Sequence, residues 1–149
     1  MADSSSKRAV AAEVWRRLFQ VFLSTRPQRD EVLRRVGLTP NDSKALHTLD
    51  PTDGKPMRAL ADAWGTDASA ATWVVDRLEK KGLAERRADA SDRRVKLVVL
   101  TARGVKTRDE ILRAFHEPPP ELLAALDRQE LQTLGELLKK IVDGRAADA

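Results

Sequence analysis

The sequence predicts a mainly α-helical fold that carries one small β-hairpin. Two observations lead to this expectation. Apolar residues recur at helical spacing along most of the chain, whereas only residues 83–99 contain short β-type runs on either side of a turn. The 149 residues are enough for one domain, which would bury about two-thirds of its unfolded surface.

The N-terminal region is expected to form a broken helix after a disordered polar tail, residues 1–7. Pro27 cannot lie inside a helix, so we expect a kink or break at residues 25–26, with the helix resuming from Asp30 to Val36. Gly37 ends this piece. The apolar stripe of the first helix consists of Val10, Val14, Leu18, Val21 and Phe22, with Trp15 and Phe19 alongside.

Two shorter helices are predicted before the centre of the chain. Thr39 is a good N-cap and is followed by a proline, which favours a helix over residues 40–49. Residues 50–55, with the sequence DPTDGK, are a turn. The second helix covers Arg58 to Trp64, and Gly65 serves the turn that follows it.

The next helix is the one around which the rest of the chain is organised. Asp67 can cap its free backbone N–H groups, and Gly82 ends it after lysines that suit the negative end of the helix dipole. At about 100° per residue, the apolar face that should contact the core consists of Ala71, Val74, Val75 and Leu78. The opposite face consists of Ser69, Thr72, Trp73 and Asp76. A helix whose outer face begins with small, uncharged residues fits into a groove.

A basic hairpin follows this helix directly. Leu83–Arg87 and Arg94–Val99 are the predicted strands, and residues 88–92 are turn material. Strand alternation places Val95, Leu97 and Val99 on the inward face. It places Arg94, Lys96 and Val98 on the outward face. The basic residues of the hairpin are Arg86, Arg87, Arg93, Arg94 and Lys96.

The order of a capped helix and an arginine-rich hairpin is typical of the winged helix-turn-helix. In that arrangement the helix enters the DNA major groove, and the hairpin reaches phosphates or the neighbouring minor groove. The net charge is +4, and lysine and arginine concentrate between Arg77 and Arg108, which favours a polyanionic partner. The alternative for the hairpin taken alone is an ordinary solvated basic surface.

Four segments carry a family resemblance: LADAWG (Leu60–Gly65), DASAATWVVDRLEKKGL (Asp67–Leu83), ERRADASDRR (Glu85–Arg94) and LTARG (Leu100–Gly104). Together they resemble the DNA-binding core of the MarR family of bacterial transcription regulators. The resemblance implies a winged helix-turn-helix region at residues 37–104, with a third short strand just before the helix at Arg58. It also implies dimerisation helices at residues 8–36 and 105–143, although these outer helices match in layout only.

The resemblance assigns roles on the DNA side. The recognition-helix residues are Ser69, Ala70, Thr72, Trp73 and Arg77, of which the first four usually approach base edges. Trp73 either contacts DNA sugar or phosphate or packs against neighbouring residues. The wing contacts are Arg94 in the minor groove, Arg93 and Lys96 on phosphates, and Arg86. Asp92 is expected to orient Arg94 or Arg77 through a bidentate pair. Because the base-reading side chains are small, DNA shape should supply part of the specificity.

Two more helices are predicted after the hairpin. Thr101 caps the first, and Pro118–Pro120 stops it. Asp127 and Glu130 form a capping-box pattern before the second, and residues 144–149 are expected to fray. The apolar stripe of the last helix consists of Leu131, Leu134, Leu137, Leu138, Ile141 and Val142. Either this stripe closes a monomeric bundle or, as the resemblance implies, terminal helices of two chains interleave in a homodimer that reads a pseudo-palindromic operator.

Composition excludes several other classes of protein. The chain has no cysteine, so disulfides, thiolate metal sites and a cysteine redox switch are excluded. His47 and His116 lack a carboxylate cluster at ligand spacing, so no metal or other cofactor is expected. No apolar run is long enough to span a membrane and the start of the chain is polar, which predicts a cytoplasmic protein. No phosphate loop, Ser-His-Asp set or catalytic acidic pair is visible, so enzymatic activity is not expected.

The resemblance also implies a small-molecule input, often an aromatic acid bound where the dimer helices meet the DNA-binding lobe. The candidate pocket residues are Trp15, Phe19, Phe22, His47, Met57 and Trp64, with Arg16 or Arg17 available for a carboxylate. The alternative for each aromatic residue is an ordinary place in the core. The expected function is a dimeric regulator of transcription that binds double-stranded DNA, most often a repressor released by a small molecule. The alternative is a winged helix that binds another protein, with the basic hairpin docked on an acidic partner.

Overall fold

The computed structural model describes residues 2–147, which form eight helices and three short strands. The helices are α1 (Ala2–Ser24), α2 (Arg26–Arg35), α3 (Pro40–Thr48), α4 (Met57–Trp64), α5 (Ala68–Lys80), α6 (Ala102–Phe115), α7 (Pro120–Ala125) and α8 (Arg128–Ala147). The strands are β1 (Lys55–Pro56), β2 (Ala84–Ala88) and β3 (Lys96–Leu100). The predicted mainly α-helical fold with a small hairpin is confirmed. The chain up to His116 is one compact unit, and the chain from Glu117 is a second.

The N-terminal helix begins earlier than predicted. Residues 2–7 belong to α1, so the expectation of a disordered tail there is wrong. The segment contains no glycine or proline that would oppose continuation of the helix. The break before Pro27 is confirmed, because α1 ends at Ser24 and α2 starts at Arg26. Pro27 lies in the first turn of α2, where no N–H donor is needed, so α2 also starts earlier than predicted.

Hydrogen bonds confirm the predicted caps around α2 and α3. Gly37 has a φ of 67°, and the N–H of Leu38 donates to the carbonyl oxygen of Leu33 at 2.9 Å, which ends α2. The Thr39 hydroxyl accepts from the N–H of Asp42 at 3.2 Å. In return, the Asp42 carboxylate accepts from the N–H of Thr39 at 2.8 Å. These two bonds form a capping box that fixes the start of α3.

The strands form one antiparallel sheet in the order β1-β3-β2. β2 and β3 pair from Ala84 opposite Leu100 to Ala88 opposite Lys96. β1 pairs with the other edge of β3. The third strand that the family resemblance implied is therefore confirmed, and the hairpin has a partner on its inner edge.

The predicted faces of β3 are wrong. Val98 and Leu100, not Val99, lie in the core cluster, and Val95 is exposed. Val99 is buried against the opposite side of the sheet, where a Cβ on Gly54 would lie 2.9 Å from its Cγ1. A continuous apolar run is compatible with either alternation, because the loop before β1 covers the second face as well.

The core of the first unit draws on α2 to α6 and the sheet. Its fully buried large side chains are Leu46, Leu60, Val75, Leu78, Val98, Leu100 and Ile111. Ala71 is buried and Val74 is partly buried, so the predicted core face of α5 is confirmed. This face fixes which side of α5 remains available to a partner.

The second unit consists of α7 and α8. The short helix α7 was not predicted; it starts within the triple proline, and proline is favoured in a first helical turn. The predicted capping box of α8 is confirmed, because the N–H groups of Asp127 and Glu130 each donate to the other residue's carboxylate at 2.9 Å. α8 continues to Ala147, so the fraying predicted from residue 144 is wrong up to that residue. Residues 148–149 lie outside the described part of the chain.

Both terminal helices expose large apolar side chains. On α1 these are Val10, Val14, Trp15, Phe19, Val21, Phe22 and Leu23. On α8 they are Leu137, Leu138, Ile141 and Val142, beside the partly exposed Leu131 and Leu134. Apolar faces of this kind mark interaction surfaces in most proteins. None of the helices within residues 2–147 is both long and apolar enough to cross a membrane.

Candidate nucleic-acid interface

The outer face of α5 is presented as predicted. The Asp67 carboxylate accepts from the N–H of Ala70 at 2.8 Å, and Gly82, with a φ of 68°, follows the last turn. The Thr72 hydroxyl donates to the carbonyl oxygen of Ala68 at 2.8 Å, so it retains only acceptor capacity for another molecule. The exposed residues of the outer face are Ser69, Thr72, Trp73 and Asp76, and Ala70 is partly buried.

Trp73 is the largest side chain on this face, and it is 59% exposed. Its indole separates a groove lined by Ser69 and Thr72 from a groove lined by residues of α3 and α4. The guanidinium of Arg77, one turn further along α5, lies 4.5 Å from the centroid of the indole ring. Trp73 is therefore a surface ridge stacked on an arginine and is not a core residue.

Arg77 is held from its other side by Asp42 of α3. Its Nη2 lies 2.5 Å from Asp42 Oδ2, which also accepts the N–H of Thr39. Asp42 is fully buried, whereas the side chain of Arg77 is 25% exposed. The second oxygen of Asp42, Oδ1, has no hydrogen-bond partner within residues 2–147. The sequence did not reveal this pair, because its members are 35 positions apart.

Two polar residues that the sequence did not single out line the groove beside Trp73. They are Asn41 and Lys44 of α3. The Nζ of Lys44 lies 3.4 Å from the carbonyl oxygen of Trp64. Their spacing places them on one face of α3, which was the only signal available. Only the tertiary structure shows that this face of α3 lies beside α5.

Arg86 ties the base of the hairpin to α5. Its guanidinium donates to Asp76 at 2.7 Å and to Glu79, and its backbone N–H donates to Glu79 at 2.9 Å. Arg86 was predicted to contact DNA from the wing. The two carboxylates already engage its charge, so this geometry suits a supporting role at the wing base.

Asp89 organises the turn at the tip of the hairpin. Its carboxylate accepts from the Ser91 hydroxyl, from the N–H of Asp92 at 3.0 Å and from the N–H of Ser91 at 2.7 Å. These bonds favour the ionised carboxylate and hold the pKa of Asp89 below its usual value. The N–H of Asp89 also donates to the carbonyl oxygen of Val95 at 3.0 Å, which closes the hairpin.

The tip carries the exposed cations predicted for it, namely Arg93, Arg94 and Lys96. The side chain of Arg94 is 95% exposed, and its Nε lies 3.5 Å from Asp92 Oδ1. The same oxygen accepts the backbone N–H of Arg94 at 2.9 Å. Asp92 thus contacts Arg94, one of the two predicted alternatives, through a single ion pair and not a bidentate one. The other alternative, a pair with Arg77, is wrong because Arg77 pairs with Asp42.

The residues of the predicted effector pocket lie in two different environments. Its α1 members are exposed, namely Trp15, Arg16, Phe19 and Phe22. Arg16 and the neighbouring Arg17 both pair with Glu13, and the Nε of Arg17 lies 2.8 Å from that carboxylate.

The other predicted pocket members lie within residues 37–104, the winged unit. Met57 and Trp64 pack against the core cluster, and the indole N–H of Trp64 donates to the Thr48 hydroxyl at 2.7 Å. His47 is exposed on α3, and its Nδ1–H donates to the carbonyl oxygen of Ser43 at 2.6 Å. Trp64 thus packs in the core, as the alternative for the aromatic residues proposed, and Met57 packs there too, whereas His47 lies on the surface.

Comparison with known proteins finds a family likeness over this same region. The model of the MarR family matches residues 38–96. The HTH-type transcriptional regulator MhqR of Bacillus subtilis is 26% identical over 124 residues, which are 83% of this chain and 86% of that protein. The transcriptional repressor MprA of Escherichia coli is 30% identical over 116 residues, which are 76% of this chain and 66% of MprA.

Solved structures agree with the fold. The crystal structure of the S. aureus MepR–DNA complex is 25% identical, with a TM-score of 0.69 over 85% of this chain and 96% of that chain. The likeness covers more of the chain than the 59 residues that the family model matches.

Proposed function

This chain belongs to the MarR family of transcription regulators, and from that premise we propose that it binds a double-stranded DNA operator as a homodimer and represses transcription there. Members of the family are regulators of transcription and not enzymes. The relative MprA is named a repressor, and MepR was crystallised with DNA, so both properties have a precedent in similar proteins.

One observation carries the DNA-binding part of the proposal: the outer face of α5 and the tip of the hairpin are both free, and both suit DNA. The face of α5 offers small polar side chains that can enter a groove. The tip offers Arg93, Arg94 and Lys96, and Asp92 lies beside Arg94, whose side chain is 95% exposed. A helix for the major groove and an arginine for the minor groove are the two parts of a winged helix-turn-helix contact.

The homodimer is supported by the apolar side chains that α1 and α8 leave exposed. Trp15 on α1 is 68% exposed and Val142 on α8 is 65% exposed. Apolar surface favours burial at about 25 cal/mol per Å², so a second copy that covers these faces would stabilise both chains. A two-fold dimer would read two half-sites roughly 10 base pairs apart, which makes the operator a pseudo-palindrome.

The proposed input is a small aromatic acid that releases the operator. Its support is the set of exposed aromatic side chains on α1, which lie beside Arg16 and Arg17 and which a second chain would enclose. Titration of the protein–operator complex with benzoic and hydroxybenzoic acids tests this part. Release at concentrations that leave the Phe19→Ala complex intact supports it, and equal effects on both complexes contradict it.

The central experiment is a selection from random duplexes, read by sequencing and repeated with Arg94→Ala. Enrichment of an inverted repeat that the variant fails to enrich supports the dimeric DNA-binding regulator and supplies its operator. Uniform weak binding at moderate salt, with no enriched sequence, contradicts it. The basic hairpin would then be better explained as a surface for an acidic protein partner.

A further inference from the structure

Asp42, Arg77 and Trp73 form a continuous array from the buried side of α3 to the exposed side of α5. Asp42 Oδ2 contacts Arg77 Nη2 at 2.5 Å, and the Arg77 guanidinium lies 4.5 Å from the Trp73 ring centroid. The exposed fraction rises along the array, from 0% for Asp42 through 25% for the Arg77 side chain to 59% for Trp73. The outermost member is an aromatic residue of which more than half remains exposed.

The charge of Asp42 is not explained by helix capping alone. Its cap bond to the N–H of Thr39 uses Oδ2, and Oδ1 is buried with no hydrogen-bond partner among the described residues. A neutral side chain could accept the same bond, whereas a buried carboxylate with an unsatisfied oxygen is unfavourable unless a cation compensates it. Arg77 is that cation. The negative charge therefore serves to hold the guanidinium at this place.

The guanidinium in turn restricts the indole. An arginine stacked on the face of a tryptophan is attracted by the ring quadrupole, and its planar group lies flat against the ring. Because Asp42 holds the guanidinium of Arg77 in place, that group is a rigid surface against which the indole of Trp73 packs. The same anchoring makes Arg77 a poor phosphate ligand, since a move toward DNA would leave Asp42 as an unpaired buried charge.

We propose that Arg77 is a positioning residue that, anchored by Asp42, holds the indole of Trp73 in place as a contact for the sugar–phosphate backbone of operator DNA. This inference rests on the proposed DNA-binding function. It gives Arg77 a different role from direct DNA contact, and it decides between the two roles open to Trp73.

The first test is Asp42→Asn, with Asp62→Asn as the matched control. Both changes remove one negative charge from the winged unit, but Asp62 is exposed on α4 and has no ion pair within residues 2–147. If only charge mattered, both variants would bind the operator more tightly. We expect Asp42→Asn to weaken operator binding about tenfold or more, and Asp62→Asn to bind equally or slightly more tightly. Operator binding by Asp42→Asn that matches or exceeds that of the control overturns the proposal.

A second pair of variants keeps the test valid if Asp42→Asn does not fold, which far-ultraviolet circular dichroism would reveal. If Arg77 contacted a phosphate, Arg77→Gln would reduce the slope of log K against log salt concentration by about 0.9. We expect a loss of affinity at an unchanged slope. Trp73→Leu should weaken binding to a similar extent, and the double variant should lose little more than either single one, because the two residues act as a unit. Additive losses, or a reduced slope, would exclude the positioning role.

A spectroscopic readout without DNA separates this inference from the proposed function. The near-ultraviolet circular dichroism of Trp73, taken as the difference from Trp73→Phe, should be strong in the unsubstituted protein and collapse in Arg77→Gln. If no operator is selected but this band collapses, the array positions Trp73 and the DNA-binding function has failed. If an operator is selected and the band is unchanged in Arg77→Gln, Arg77 does not position Trp73 and only the further inference has failed.

Discussion

The carbonyl oxygen of Leu83 occupies the space where a side chain on Gly104 would have to lie, because a Cβ at residue 104 would be 1.9 Å from that oxygen. The same oxygen accepts the N–H of Thr101 at 3.1 Å, and the Thr101 hydroxyl donates to the carbonyl oxygen of Gly82 at 2.7 Å. The start of α6 is thus fixed against the residues that join α5 to the wing. This contact sets where α5 and the wing leave the core.

We therefore expect Gly104→Ala to be strongly destabilising. The backbone of the junction must move to admit the methyl group, which should cost about 3 kcal/mol or more and lower Tm by roughly 10 °C. Gly144→Ala is the control, because nothing lies within 4 Å of a Cβ at that helical position. It should be neutral or slightly stabilising, since alanine is the better helix former. Thermal unfolding followed by circular dichroism measures both, and equal Tm values would contradict the expected clash.

Arg94 and Arg86 should behave differently although both belong to the hairpin. Arg94→Ala removes an exposed tip cation, so operator affinity should fall and the salt slope should decrease by about 1. Arg86→Ala removes the link to Asp76 and Glu79, so it should reduce stability by about 1 kcal/mol and leave the salt slope unchanged. Binding titrations at several salt concentrations, with urea unfolding of both variants, check this. A reduced slope for Arg86→Ala would mean that this arginine leaves its carboxylates to contact phosphate.

Asp92→Ala should weaken operator binding although it removes a negative charge from the tip. The Asp92 carboxylate accepts the backbone N–H of Arg94 at 2.9 Å and lies 3.5 Å from its Nε, so its loss frees the arginine side chain and the turn. Fluorescence anisotropy of a labelled operator measures the effect. Asp53→Asn, which removes a charge elsewhere on the winged unit, is the comparison. Tighter binding by Asp92→Ala would show that repulsion from DNA outweighs the orientation of Arg94.

The contribution of Asp50 to stability should disappear in acid. Its carboxylate accepts from the N–H of Asp53 at 2.8 Å, from the N–H of Thr52 at 2.7 Å and from the Thr52 hydroxyl, and these bonds lower its pKa from 3.8 to about 2. A lowered folded-state pKa stabilises the fold fully above pH 3.8, and the stabilisation is lost as the pH falls toward 2.

Urea unfolding of the unsubstituted protein and of Asp50→Ala between pH 7 and pH 2 measures this contribution. The difference in unfolding free energy should be constant down to about pH 5 and should narrow below about pH 4. A difference that stays the same across the whole range would show that the carboxylate charge is not what stabilises this turn.

Local chemistry explains why many elements were predictable. Asp67 and Thr101 are capping residues followed by helical patterns, and both make the expected cap bonds. Gly37 and Gly82 adopt the left-handed conformation that ends a helix. The exposed arginines of the wing tip lie between two strand patterns, so their position in a turn could be predicted from residues close to them in the chain. The family resemblance added β1, whose two residues carry no strand pattern of their own.

The faces of β3 were predicted wrongly because the contacts that decide them are remote in sequence. Val98 faces the core, although it was predicted to face outward. Because β3 is covered on both sides, its apolar run does not show which face lies in the core, and the loop that ends at Gly54 could not be placed from the strand pattern. Arg86 is a basic residue of the wing, as expected for a DNA contact. Its ion pairs with Asp76 and Glu79 of α5 form only in the folded chain, so the sequence did not predict them.

The sequence alone thus determined most of the helices, the N-caps of α3, α5, α6 and α8, the exposed face of α5 and the basic character of the wing. These follow from dihedral preferences, periodicity and short-range hydrogen bonds, which depend on residues a few positions apart. Tertiary structure alone decided that Asp42 holds Arg77, that Arg77 stacks on Trp73, and that Leu83 leaves no room for a side chain at residue 104. Such contacts depend on how whole elements pack, and packing brings together residues whose separation along the chain carries no local signal.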